Sequence, residues 1–172
     1  MRSSKKIVLG GILSALSLIF LFAANVSPLF DLCLTVIASF AMFIGIIELG
    51  RKWAFIMYVV VSVLGFLIVP KQAPLLIFVF FLGYYPLIKS IAEQRRKRSV
   101  EYIIKFCVLN AASIICLILF KGILFPDTEV TPVMGVLYII ASNVIFIIYD
   151  KAITRLITVY TYKFRQKLNL GK

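Results

Sequence analysis

The sequence predicts an all-α, polytopic membrane protein of six transmembrane helices with both termini in the cytoplasm. Three observations carry that reading. First, hydrophobic residues fill 62% of the 172 positions, where a soluble domain carries about 45–50%, and the mean hydropathy is +1.05. A soluble core of this size could not hide so much apolar surface. Second, apolar runs close to the roughly 20 residues needed to cross a bilayer recur along the chain. Third, lysine and arginine fall almost entirely in alternate connections between those runs. Together these exclude a disordered chain, a secreted disulfide module and a cytosolic enzyme.

The first span covers about 7–26, behind the lysines Lys5 and Lys6. At 20 residues this apolar run is long for a cleaved signal peptide and reads as an uncleaved span. Ser27, Pro28 and Asp31 make a tight outer turn, with proline as the breaker. The second span, about 32–49, stops at Gly50, a natural helix C-cap, followed by Arg51 and Lys52. Trp53 opens the third span, about 53–69, at the interface where an indole ring is favoured. Pro70 to Pro74 makes the second outer turn. The fourth span covers about 75–91, and Pro86 inside it predicts a kink or an early end.

The segment around Arg95, Arg96, Lys97 and Arg98 is the most polar of the chain. The fifth span covers about 102–120 and the sixth about 133–149, separated by a longer outer loop with Pro126, Asp127, Glu129 and Pro132. Residues 1–150 thus form the bundle and 151–172 a basic tail. In the tail, Ile153, Leu156, Ile157, Tyr160, Phe164 and Leu168 recur at helical spacing, with basic residues largely elsewhere. That pattern predicts an amphipathic helix lying along the membrane surface.

Six spans put both termini on one side. That side holds 17 of the 19 lysines and arginines, and the other holds Lys71 and Lys121. The positive-inside rule then places the termini in the cytoplasm of a cell-membrane protein. It also accounts for most of the net charge of +12 without a nucleic-acid partner, and it predicts attraction to anionic lipid headgroups.

Catalytic groups are scarce. The chain has no histidine, so zinc-protease ligands and a serine–histidine pair are both missing. All seven acids fall in loops or at span ends, which argues against a proton pump or a voltage sensor. Cys33, Cys107 and Cys116 have no metal-ligand spacing and read as packing residues. No enzyme activity, metal or cofactor is expected. Asn110 and Asn143 lie about 12 Å and 9 Å from the inner ends of their spans at 1.5 Å per residue. Their similar depth predicts an interhelical amide pair, with a polar contact to a solute cavity as the other reading. Gly10 with Ser14 and Gly11 with Ala15 set small residues four apart, a face that another helix can approach closely, either within this bundle or on a partner. Asn25, Asp31, Lys71, Gln72, Asp127 and Glu129 in the outer turns read as solvated positions singly. Jointly they are candidates for capturing a small polar solute.

Six short spans, a lysine-led first span and Gly11-xxx-Ala15 resemble the substrate-binding S components of energy-coupling factor vitamin transporters, in which an AxxxA motif serves coupling. The resemblance covers roughly residues 5–150. It implies that a small solute sits under the first outer loop against the last three helices, near the six outer-turn candidates. It also implies that a transmembrane coupling subunit and ATPases supply the work. The alternative is a non-catalytic scaffold or accessory subunit of a bacterial membrane or cell-envelope complex.

Overall fold

A computed structural model describes residues 3–26, 29–70, 72–93, 98–124 and 131–165. Among these no strand occurs. The helices are α1 (Ser3–Val26), α2 (Asp31–Leu49), α3 (Arg51–Ile68), α4 (Gln72–Ile77), α5 (Tyr85–Ala92), α6 (Arg98–Leu124) and α7 (Pro132–Val159). A π-helical turn, Phe78–Leu82, joins α4 towards α5, and a second, Tyr160–Arg165, extends α7. Six helical stretches are long and apolar enough to cross a membrane, the fourth being α4 to α5 taken together.

Gly50 alone separates α2 from α3. Its φ of 91° lies in the left-handed region that favours glycine. There its N–H caps α2 at the Ile46 carbonyl, 3.1 Å away, and its own carbonyl accepts from Ala54 at 3.1 Å. One residue thus ends one helix and starts the next. Thr131 and Pro132 open α7 differently: the Thr131 hydroxyl accepts from the Met134 N–H at 3.4 Å, and proline takes the first turn, where no N–H partner is needed.

The fourth span breaks earlier than Pro86 predicts. The Gly83 N–H reaches back to the Phe78 carbonyl at 2.6 Å, closing a wide turn. A Cβ at Gly83 would lie 2.9 Å from that carbonyl oxygen and 2.8 Å from the Phe78 ring, so the turn needs glycine. Pro86 then sits in the first turn of α5, where it fits.

Two apolar clusters hold the bundle. In the first, Leu21, Met42, Met57, Val61, Leu75 and Phe78 join α1, α2 and α3 to α4. The Ser17 hydroxyl pins α1 to the Ala38 carbonyl of α2 at 2.9 Å. In the second, Phe43, Leu82, Tyr85, Leu109, Phe146, Tyr149 and Ile153 join α2 to α5, α6 and α7. The outer faces of α6 and α7 carry exposed Ile118, Leu119, Val144 and Ile148, as lipid-facing helices do. No break occurs at Asp150. Helix α7 runs through it, and Ile153 is fully buried against the second cluster. The apolar face of 151–172 therefore begins by covering the bundle, and residues from 166 onward lie outside the described residues.

Candidate functional site

The second cluster does not close completely. Between the π turn and α5 on one side and α6 and α7 on the other lies a cleft of about 140 Å³, with Leu32 of the first turn of α2 at its edge. Six of its fifteen lining residues are aromatic: Phe81, Tyr84, Tyr85, Tyr138, Phe146 and Tyr149. Helical periodicity explains their convergence. Tyr138, Ser142, Ile145, Phe146 and Tyr149 recur every three or four residues, so they share one stripe of α7. Tyr85 stands edge-on to Phe146 with ring centres 5.0 Å apart.

Three hydroxyls of this wall are engaged within the protein. The Tyr149 hydroxyl pairs with the Ser39 hydroxyl at 2.8 Å. The Ser142 hydroxyl donates to the Tyr138 carbonyl at 2.8 Å. The Tyr85 hydroxyl donates to the Asp150 carboxylate.

Asp150 is the centre of an ion network that borders the cleft through Lys105 and Tyr85. Its carboxylate also accepts from the Lys89 ammonium, and the Lys105 Nζ lies 3.4 Å from Oδ1 and 3.5 Å from Oδ2. Lys105 is 2.6 Å from Glu101 Oε1 and Lys89 is 2.8 Å from Glu93 Oε1. Lys89 donates further to the Thr154 hydroxyl at 2.8 Å. The two lysine side chains are only 3% and 1% exposed. Charges so buried persist only when paired and hydrogen-bonded. Here three carboxylates face two ammonium groups, and the pairs tie α5, α6 and α7 together.

The sequence analysis counted Lys89 and Lys105 only among the 17 cations of the terminal side and missed this network. A signal was available. Lys89 with Glu93 and Glu101 with Lys105 are opposite charges four apart on helices, the spacing at which side chains meet. Two such pairs flank one short connection, and Asp150 ends the next predicted span.

The structure brings Asn110 and Asn143 together. The Asn143 amide donates to Asn110 Oδ1 at 2.9 Å and the Asn110 amide returns a bond of 3.2 Å. Each amide also donates to the carbonyl four residues before it. The pair joins α6 to α7 and does not line the cleft.

The small-residue positions of α1 divide into two faces. Gly10 and Ser14 are buried, and a Cβ at Gly10 would meet Leu49 at 3.5 Å and Met57 at 3.8 Å. They serve packing against α2 and α3. Gly11 and Ala15 are exposed, and nothing lies within 4 Å of a Cβ at Gly11.

The outer-turn candidates are not gathered into a site among the described residues. The Asn25 amide donates to the Leu21 carbonyl at 3.1 Å, and Asp31 Oδ1 accepts from the Leu32 N–H at 2.5 Å. Gln72 begins α4, and its side chain is outside the described set, as are Lys71, Asp127 and Glu129. Neither Asn25 nor Asp31 lines the cleft. Among the described residues no group of histidine, cysteine and carboxylate side chains could hold a metal ion.

No family model, no curated protein and no solved structure matches this chain.

Proposed function

We propose that this chain is the solute-binding membrane subunit of a transporter of the energy-coupling factor type, working by binding and not by catalysis. The observation that carries the reading is the place of the cleft. It lies against the last three spans and beside the first turn of α2, where the S-component resemblance expects a solute. Concave, largely apolar sites between helices are the usual form of small-molecule pockets. On this reading the recognising residues are those of the cleft rather than the outer turns. The exposed face of Gly11 and Ala15 receives a transmembrane coupling subunit, since close helix approach requires small side chains. Partner ATPases drive uptake, and the basic terminal side faces the cytoplasm and anionic lipid.

The test separates binding from coupling. Replacing Gly11 and Ala15 together by leucine is expected to abolish solute uptake while the purified variant still binds the solute. A strain without the chain that shows no uptake defect on any vitamin-limited medium would overturn the transport reading and leave the scaffold alternative.

A further inference from the structure

The dimensions and walls of the cleft define what it can hold. An apolar cavity of roughly 150 Å³ lined by Leu, Ile and Phe accepts benzene, and this cleft measures about 140 Å³. Its aromatic lining offers edge-to-face and offset contacts, the geometries that rings prefer. The hydroxyls of Tyr149, Tyr85 and Ser142 are committed to Ser39, to Asp150 and to the α7 backbone, so these three ask nothing of a ligand.

Charge is disfavoured for two reasons. Lys105, the charged group on the wall, already faces Glu101, Asp150 and Glu93 at 2.6, 3.4 and 3.6 Å. An anion would have to displace those carboxylates, and a cation would have to enter beside two ammonium groups. Either would also lose its hydration against an apolar wall. The ion network borders the cleft at Lys105, whereas the lining residues Ile145 and Leu32 are 45% and 36% exposed. These two exposed edges are where a ligand can enter. A lipid chain fits less well than a ring, because a cleft with room for about six carbons holds only a fragment of an acyl chain.

We propose that the cleft binds a compact, uncharged ring of about benzene size, and that this ring is the part of the solute the protein recognises. The proposal rests on the solute-binding reading above and names its ligand class.

The test uses the full chain in nanodiscs with fluorobenzene as the probe, followed by fluorine NMR. A saturable resonance distinct from the lipid-dissolved one is expected. Toluene should displace it, and benzoate and benzylammonium should not. Leu109→Trp, which fills the cleft, should abolish it, and so should Ile145→Trp at an exposed edge, which does not disturb the core. Val63→Trp on the outer face of α3 should leave it intact. Absence of a saturable resonance, its survival in Ile145→Trp, or equal displacement by benzoate would overturn the proposal. A saturable shift of a terminally fluorinated lipid chain at the same site would also overturn it, with lipid as the occupant. Uptake is not part of this readout, so ring binding without any transport defect would sink the transport reading alone.

Discussion

Asp150→Asn perturbs the ion network with little change in shape. The variant keeps a hydrogen-bonding group for the Tyr85 hydroxyl and the Lys89 ammonium but removes the charge that both lysines share. Removing one partner of a buried ion pair costs about 3–5 kcal/mol, because the remaining charge is left without compensation. Here Lys89 retains Glu93 at 2.8 Å and Lys105 retains Glu101 at 2.6 Å. The loss should therefore fall at the low end, about 3 kcal/mol, or somewhat over a hundredfold in the unfolding equilibrium at 1.4 kcal/mol per factor of ten. The buried thiol of Cys116 on α6 supplies the reporter, since Cys33 and Cys107 are exposed and can be replaced by serine. Pulsed thiol labelling across an SDS titration in mixed micelles reads the opening of the α6–α7 half. Asp150→Asn should lower the midpoint clearly. Lys89→Met combined with Asp150→Leu should cost less than the sum of the two single changes. Stability within about 0.5 kcal/mol of the parent, the range of an ordinary surface change, would refute the claim that these pairs hold the three helices.

The same assay applied to Asn110→Leu, Asn143→Leu and the double variant should give a coupling of about 0.6–2 kcal/mol, and strict additivity would contradict the reciprocal amide bonds. Gly83→Ala should destabilise by about 1–3 kcal/mol, as forced overpacking does, because its methyl group would press on the Phe78 carbonyl; a neutral result would mean that the π turn yields without cost. Cysteine placed at Lys71 or Asp127 should react with an impermeant reagent outside intact cells and cysteine at Arg96 should not, and the reverse pattern would invert the assigned topology.

Some of this structure was legible because membrane burial writes itself into composition. A run such as 7–26 has no other reading at that length and hydropathy. Gly50 followed by Arg51 and Lys52 marked its helix end to the residue, since a left-handed cap is a local demand. Equal depth on successive spans anticipated the meeting of Asn110 and Asn143. The break in the fourth span was misplaced because its cause is not local: Phe78 is fully buried in the first cluster, and the chain widens around it before Pro86 is reached. Asp150 looked like a stop because acids usually mark span ends. Its carboxylate instead turns inward to two lysines, so α7 has no reason to end there. The cleft was illegible for a similar reason. Its walls come from separate elements, and the outer-turn residues were the more visible polar groups.

The engaged polar pairs of α6 and α7 also settle a question of height. Both helices meet their neighbours largely through apolar surface, and apolar packing by itself sets position along the axis only weakly. A slip of one turn moves a helix by about 5.4 Å. That step would carry Asn143 past Asn110 and Asp150 past Lys89 and Lys105 together, stranding an amide pair and the Asp150 carboxylate, while each lysine keeps the glutamate of its own helix. A charge left unmet there loses its paired, hydrogen-bonded surroundings, and the amide pair adds to the cost. Two polar clasps at different levels thus act as an alignment key, rejecting misthreaded bundles that apolar packing alone would accept.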